Sequence, residues 1–369
     1  MTDDLAAAEP IPSRPAEPLP PAAAEPSPPA AAEPIPHWPG EFVSLGDHQV
    51  FVRSTVSDIP QPDIPQPVNP DPDSTKLEYP GVNGAAREPA LCVHGLEGSS
   101  RNWTDLMDLL RPRLACDALD LPGFGDSPPR PDGRYSIAAL AQTVIALIER
   151  RGRGPVHLIG NSLGGAVCVK VAASRPELVR TLTLISPALP DPRPRRDLVQ
   201  FPLISLPRVG TRLLRKYQAL PPQNRVADVI TNCYSDPGLF AQARFATEVA
   251  ELSRRDSLGY AAGALVGSIR ALTAETLKVG RRSAWRDAAR ITAPSLVIFG
   301  SHDRLVDPRL AGRAAHAFSG ARIVVLPRTG HVAHMEHPGA VAAEMGVLLA
   351  ASSGGAPGRT REFPLAPAG

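Results

Sequence analysis

The sequence predicts an α/β fold built on a doubly wound, mostly parallel sheet. Six short apolar runs are typical of strands, and several are apolar almost throughout, as strands buried on both faces are. Amphipathic segments between them are long enough for crossover helices, and short connections favour parallel strands. The strand-like runs are 89–95, 115–123, 155–161, 182–188, 295–301 and 321–327, and the clearest helical segments are 136–151 and 163–175.

Two further strand-like runs lie within residues 41–54, on either side of Gly46 and Asp47. This pattern predicts a β-hairpin in front of the alternating region. The first part of the sheet domain is therefore expected to cover residues 41–188, and a second part is expected at 289–351.

Proline-rich and small-residue segments flank and interrupt the sheet domain. The chain has 369 residues and 43 prolines, and AAAEP occurs three times within residues 1–40. Such a segment has little apolar surface to bury, so we expect a disordered N-terminal tail. We also expect a proline-rich loop at about 56–84, which contains the repeat DIPQPDIPQP, and a flexible C-terminal tail at 352–369.

Residues 189–288 show helical patterning but no clear buried strand. A structureless loop of that length is unusual, so the segment predicts a helical cap inserted into the sheet domain. Its apolar runs LVQFPLISLP and LGYAAGALVGSI either line a pocket or pack the cap itself, and packing is the more ordinary role. Arginines and lysine give residues 191–225 an excess of positive charge, which suits a solvated helical face or a weak contact with an anionic membrane surface.

Composition excludes several classes of protein. The formal net charge is +2, and no nucleic-acid-binding motif is present. No apolar run is long enough for a membrane span, and the N-terminus lacks the basic and apolar parts of a signal peptide. The four cysteines form no CxxC pattern. Free thiols of this kind favour a cytoplasmic location, and the oligomeric state is left open.

The segment VHLIGNSLGGAV, residues 156–167, places Ser162 in a G-x-S-x-G pattern between a strand and a helix. Such a turn holds the serine in a strained conformation with its hydroxyl projecting at the edge of the sheet. The alternative is an ordinary strand-to-helix turn with a helix-capping serine.

A serine nucleophile needs a base and an acid that orients the base. Asp303 follows one late strand and His331 follows the next. Because reactive groups gather at the carboxyl edge of a doubly wound sheet, we expect Ser162, Asp303 and His331 to converge there.

Five motifs together resemble the α/β-hydrolase superfamily, in particular its serine esterases and lipases. They are HGLEGS (94–99), DLPGFGDS (120–127), GNSLGG (160–165), GSHDRLV (300–306) and GHVAHMEHP (330–338). The resemblance implies that Ser162 is the nucleophile, His331 the general base and Asp303 its orienting acid. It also implies an oxyanion hole formed by the backbone N–H groups of Leu96 and Leu163. The residues expected to support the elbow and the oxyanion loop are His94, Gly95, Gly160, Asn161 and Gly164.

Other residues near these motifs are weaker candidates. Asp307 is the alternative acid, and His334 and His337 are alternative bases, although His331 alone follows the glycine of its motif. His302 is interpreted as a polar loop residue and Asp126 as a loop-stabilising one. The spacing of the three late histidines is more simply a coincidence than a metal site, so no metal or cofactor is expected.

The resemblance leaves three functions open. A serine nucleophile favours hydrolysis of a hydrophobic carboxylic ester through an acyl-enzyme and disfavours dehalogenation or epoxide opening, which use aspartate. Carbon–carbon hydrolases use the same triad, although HGLEGSS departs from the HGGGPG type of loop that they usually carry. A binding or scaffold protein that engages a partner through its proline-rich tail is the third interpretation.

Overall fold

The computed structural model describes residues 35–56, 87–191, 205–206, 209–278 and 283–353. The predicted N-terminal tail up to residue 34, the proline-rich loop from residue 57 and the C-terminal tail from residue 354 lie outside the described residues. So do parts of the predicted cap, at 192–204, 207–208 and 279–282.

Within the described ranges, eight strands form one sheet in the order β1-β2-β4-β3-β5-β6-β7-β8. Strands β1 and β2 form the predicted hairpin, and β2 pairs antiparallel with β4, whereas all later pairs are parallel. The predicted fold class is therefore confirmed. The strands are β1 Gly40–Ser44, β2 Gln49–Ser54, β3 Glu88–Val93, β4 Leu114–Leu119, β5 Val156–Asn161, β6 Val179–Ile185, β7 Ser295–Gly300 and β8 Arg322–Leu326.

The helices before the predicted cap region are α1 Thr104–Leu110, α2 Ile137–Arg151 and α3 Leu163–Ser174. Those between β6 and β7 are α4 Val209–Gln218, α5 Pro222–Cys233, α6 Gln242–Asp256, α7 Ala261–Thr276 and α8 Ala284–Ala288. The last three are α9 Leu310–Ala317, α10 Ala333–Glu336 and α11 Pro338–Ser353. Within the described part of the chain, each helix is too short or too polar to cross a membrane.

Helices cover both faces of the sheet because successive strand residues point to opposite sides. Leu91 and Val93 of β3 join a core cluster with residues of α2, α3 and α9. Ala90 and Cys92 of the same strand join a second cluster with residues of α1 and α11. The sheet is thus buried on both faces, which is why its strands are apolar almost throughout.

Two predicted strands end at least three residues earlier than expected. Strand β6 ends at Ile185 rather than 188, because Ser186 adopts a φ of +43°, which an extended strand cannot contain. Strand β4 ends at Leu119 rather than 123, because Asp120 begins a loop there. The side chain of Asp120 binds backbone N–H groups and so stabilises that loop. The Asp120 carboxylate accepts N–H groups from Ser100 and Asp126.

The boundary of the predicted tail at residue 40 is also wrong. Trp38 is only 2% exposed, and its indole N–H donates to the backbone oxygen of Thr104 at 3.1 Å. The ring of His37 forms a hydrogen bond of 2.7 Å with the Thr104 hydroxyl. Residues 35–40 therefore belong to the packed domain, and one tryptophan in a proline-rich stretch was the available signal.

Candidate active site

Ser162 lies in the sharp turn between β5 and α3, with φ of +53° and ψ of −116°. Its backbone N–H donates to Ile185 O at 3.1 Å, and its carbonyl accepts N–H groups from Ala166 and Ala188. A residue other than glycine at positive φ costs about 1–3 kcal/mol and persists only where the surroundings fix it. These three backbone bonds to β6, α3 and the segment after β6 do so here.

Close packing around the turn requires small residues. A Cβ on Gly164 would lie 2.1 Å from Val93 O, and one on Gly160 would lie 2.6 Å from Cys168 Sγ. A Cβ on Gly95 would lie 3.1 Å from Ser162 Cβ. The turn is therefore pressed directly against the segment that follows β3.

Asp303 and His331 are joined by hydrogen bonds, with His331 Nδ1 2.9 Å from Asp303 Oδ2 and 3.1 Å from Oδ1. Both side chains are buried. The backbone N–H groups of Leu305 and Val306 donate to Asp303 Oδ1 at 2.8 and 2.9 Å. These donors fix the carboxylate, so that it can hold the imidazole with Nδ1 protonated and Nε2 available as a base.

Burial by itself would raise the pKa of Asp303, but the net pKa is lowered. The charge and hydrogen bond of His331 and the Val306 N–H outweigh the loss of hydration. The carboxyl group is therefore ionised at neutral pH, as a partner for an imidazolium must be.

Asn161 connects the serine turn to the histidine loop. Its side-chain amide donates to the backbone oxygens of Ile185 and His331, both at 3.1 Å. The structure thus brings His331 to Asp303 directly and to the segment of Ser162 through Asn161.

His94 supports the segment predicted to carry one oxyanion donor. Its Nδ1 bonds to Gly95 O at 2.7 Å, and its Nε2 accepts the Leu121 N–H at 2.9 Å. These partners require a neutral ring protonated on Nδ1. Burial lowers the pKa of His94 to about 4, so the ring keeps this form at neutral pH.

The turn after His94 runs from Gly95 to Gly98 and is closed by a hydrogen bond of 3.2 Å from Gly98 N to Gly95 O. Glu97 adopts a φ of +59°, a second strained position beside the serine turn. Leu96 lies inside this hydrogen-bonded turn, and Leu163 is the first residue of α3. Both predicted N–H donors therefore belong to ordered backbone elements.

Arg255 is a residue that the sequence analysis missed. It lies near the end of α6, and its Nη1 donates to Glu97 O at 2.8 Å. A neighbouring residue, Arg254, binds Gly125 O and the carboxylate of Asp126, both at 2.9 Å. Helix α6 is therefore fastened to two loops of the sheet domain, one of which carries Leu96.

Glu336 was also missed, although it lies within the GHVAHMEHP motif. Its carboxylate accepts the backbone N–H of Gly330 at 2.6 Å and that of Ser235 at 2.9 Å. In addition, His331 N donates to Cys233 O at 2.6 Å. The loop of His331 is thus held by the end of α5 and the residues after it.

The weaker candidates have other partners. Asp307 binds Arg309, and His302 bonds to the Ser301 hydroxyl. His334 stacks on Trp103 with ring centroids 4.2 Å apart, and burial lowers its pKa to about 3. Among the described residues, no group of three histidine, cysteine or acidic side chains is arranged to hold a metal ion.

An apolar cluster packs against Leu96 of the predicted oxyanion loop. Leu96 packs against a group of residues from two helices between β6 and β7: Leu214, Leu265, Val266 and Ile269. Three residues of the run 258–269 therefore pack against α4 and against Leu96. Arg225, predicted on a solvated face, is 2% exposed and binds Asp256 through both terminal nitrogens, so that interpretation is wrong for this residue.

Comparison with known proteins identifies the family. A model of the α/β-hydrolase fold matches residues 89–338, which include every residue of the candidate site. The chain belongs to the α/β-hydrolase fold family. The predicted resemblance is therefore confirmed.

This α/β-hydrolase has curated relatives with different activities. The dihydrolipoyllysine-residue acetyltransferase component of the acetoin cleaving system of Pseudomonas putida is 27% identical over 265 residues, or 70% of this chain. The match spans only 63% of that relative. A pimeloyl-[acyl-carrier protein] methyl ester esterase of Neisseria meningitidis is 27% identical, with 68% of this chain and 88% of the relative covered.

A dienedioate and trienedioate hydrolase is a further relative of this α/β-hydrolase. The 2-hydroxy-6-oxononadienedioate/2-hydroxy-6-oxononatrienedioate hydrolase 1 of Dechloromonas aromatica is 25% identical, over 69% of this chain and 84% of the relative. Among solved structures, a putative lipase from Acinetobacter baumannii aligns with a TM-score of 0.66 at 18% identity, covering 85% of this chain and 92% of that one. This structural likeness shows the fold alone.

Proposed function

We propose that this α/β-hydrolase is a serine hydrolase that cleaves a hydrophobic carboxylic ester through an acyl-enzyme, without a metal or cofactor. The observation that carries the proposal is the combination of Ser162 at positive φ with the buried Asp303–His331 pair. A strained serine turn and a buried ion-pair partner for an imidazole are costly features that a simple capping serine does not need.

In the proposed reaction, Ser162 Oγ attacks the ester carbonyl carbon while His331 Nε2 takes the hydroxyl proton. The negative charge that develops on the carbonyl oxygen is stabilised by the N–H groups of Leu96 and Leu163. The C–O bond then breaks, and His331 returns its proton to the departing alkoxide. Water, deprotonated by the same histidine, attacks the acyl-enzyme and releases the acid and free Ser162.

The preference for a hydrophobic ester rests on the apolar cluster around Leu96. Leu214 and Ile269 are less than a tenth exposed and pack beside the residue proposed to hold the oxyanion. Apolar surroundings of this kind favour an alkyl or acyl chain over a charged group.

Hydrolysis of p-nitrophenyl esters from two to sixteen carbons tests this proposal, with Ser162→Ala as the variant. Ser253→Ala is the matched control, because this exposed hydroxyl bonds to no described residue except Val249 O in its own helix. Turnover by wild type and control, together with at least a 10³-fold loss in Ser162→Ala, is expected. Equal turnover in the two variants would show that Ser162 is not the nucleophile. No turnover of any ester by folded wild-type protein would show that the protein is not an esterase.

Carbon–carbon hydrolysis is the second candidate, because the 2-hydroxy-6-oxononadienedioate hydrolase of Dechloromonas aromatica matches most of this chain. A ring-opened 2-hydroxy-6-oxo-dienoate is the substrate that separates the two functions. Loss of the absorbance of this substrate in the presence of the wild-type protein, with no turnover of any ester, favours the second candidate.

A cytoplasmic location is part of the proposal. It rests on Cys92, Cys116, Cys168 and Cys233, which are all free thiols. A partner for the proline-rich tail also stays a prediction, which removal of residues 1–34 would test by loss of binding with turnover unchanged.

A further inference from the structure

The outer side of α4 and its two flanks exposes a row of apolar side chains. Leu206, Val209, Leu213 and Leu220 are 48%, 39%, 41% and 41% exposed. Helical hydrogen bonding extends beyond both ends of α4, from Gly210 N to Leu206 O and from Ala219 N to Arg215 O. At 3.6 residues per turn, Val209 and Leu213 of α4 lie within about 40° of each other, and Leu206 and Leu220 flank that helix on either side. We call this row the apolar stripe.

Positive charges border the apolar stripe. Arg212 and Lys216 lie on the same side of α4 as Val209, are exposed, and form no ion pair with any described residue. The sequence from 205 to 227 contains no aspartate or glutamate that could neutralise them. The side of α4 with the stripe is therefore both apolar and cationic.

The inner side of the same helix already secures it to the protein. Leu214 is 8% exposed and joins Leu265, Val266 and Ile269, with Leu96 and Tyr217 packed against the cluster. The apolar stripe is thus not needed to hold α4 in place. A single exposed leucine is ordinary, but an aligned row is typical of an interaction surface.

We propose that the apolar stripe docks on a lipid bilayer that contains anionic headgroups. An amphipathic helix of this kind lies in the plane of the interface, with leucine side chains among the acyl chains and cations at the phosphates. Charge complementarity favours this partner over a second copy of the chain, because two such faces would repel each other. Docking does not depend on the proposed hydrolysis, although it would place the apolar cluster around Leu96 next to a source of hydrophobic esters.

Vesicle sedimentation with full-length Ser162→Ala protein tests docking separately from catalysis. The probes are phosphatidylcholine vesicles and vesicles in which about a third of the lipid is phosphatidylglycerol. We expect at least tenfold stronger binding to the anionic vesicles and loss of most of that difference in high salt.

Two double variants on this background locate the surface. Leu206→Ser with Leu213→Ser removes half of the apolar stripe, and Arg212→Glu with Lys216→Glu reverses its charge. Each is expected to weaken binding at least tenfold. The matched controls are Leu109→Ser with Val347→Ser, at exposed apolar sites on α1 and α11, and Arg150→Glu with Arg290→Glu.

Circular dichroism establishes that every variant is folded. The same substitutions can also be checked in the wild-type background by turnover of a short, water-soluble ester. Equal binding to both kinds of vesicle, or equal effects of stripe and control variants, overturns the proposal. A dimer in light scattering that both stripe variants dissociate also overturns it and assigns the face to self-association.

Discussion

The side-chain amide of Asn161 donates a hydrogen bond of 3.1 Å to the main-chain oxygen of His331, although 170 residues separate them in sequence. The same amide nitrogen binds Ile185 O at 3.1 Å. One side chain next to the proposed nucleophile therefore sets the position of the proposed base relative to β5 and β6.

Replacement of Asn161 by aspartate removes both N–H donors at nearly constant shape. We expect kcat to fall about 10–100-fold with little change in KM, because the histidine loop shifts relative to Ser162. Steady-state kinetics on a soluble ester measure this. Asn232→Asp is the control, since within the described part of the chain that exposed amide bonds to Asp228 O in its own helix and to nothing else. Equal kinetics in the two variants would show that Asn161 does not position His331.

Arg255→Ala removes the hydrogen bond from α6 to Glu97 O. The strained turn that carries Leu96 then loses a restraint, so we expect kcat to fall about tenfold, less than complete loss of an oxyanion donor costs. Arg290→Ala is the control, because Arg290 is an exposed arginine whose one ion-pair partner among the described residues is Asp287. An unchanged kcat for a folded Arg255→Ala protein would contradict this role.

Protonation of buried histidine destabilises the fold in acid. Burial, assisted by nearby His331, lowers the pKa of His334 from 6.5 to about 3 in the folded state. Between these values the unfolded chain binds a proton that the folded chain does not, so the free energy of unfolding falls as pH falls. From pH 7 to pH 4 this group accounts for about 3 kcal/mol.

His334→Phe keeps an aromatic ring on Trp103 and removes the titration. In urea unfolding, the free energy of unfolding of His334→Phe is expected to fall less between pH 7 and pH 4 than that of wild type. The expected difference is about 3 kcal/mol. His316→Phe, at an exposed ring, is expected to match wild type. If the wild-type and His334→Phe proteins lose equal stability, the ring is not buried as a neutral group.

Gly164→Ala tests the contact between the serine turn and the segment after β3. Its Cβ would lie 2.1 Å from Val93 O, so the backbone must move, and we expect a loss of about 3 kcal/mol in unfolding free energy or failure to fold. Gly263→Ala, where the added methyl meets open space within α7, is expected to stabilise the protein by up to about 1 kcal/mol. Similar stability of the two variants would contradict the tight turn.

The sheet was predictable because its strands are buried on both faces and therefore apolar almost throughout. The predicted sites for nucleophile, acid and base also followed from local patterns, since each lies just after a strand. The end of β6 was not predictable in this way. Ser186 ends the strand because it adopts a positive φ, which the neighbouring residues in the sequence do not predict.

Residues that act across the fold were the ones missed. Arg255 is one of many arginines between β6 and β7, and only the folded chain brings it to Glu97 O. Arg225 was assigned to a solvated face because its partner, Asp256, lies 31 residues later. Side chains whose partners are distant in sequence carry no local signal, whereas strand periodicity and strand-end motifs do.

Labelling with a fluorophosphonate tests the central claim most directly, because this probe forms a covalent bond with an activated serine oxygen and releases fluoride. Peptide mass spectrometry is expected to find one phosphonate on Ser162 of the wild-type protein and none on Ser162→Ala. Labelling is expected to be strongly slowed in Asp303→Asn, where the base loses its orienting carboxylate. An unlabelled Ser162 in folded protein, or a label on another residue that survives Ser162→Ala, would contradict the account.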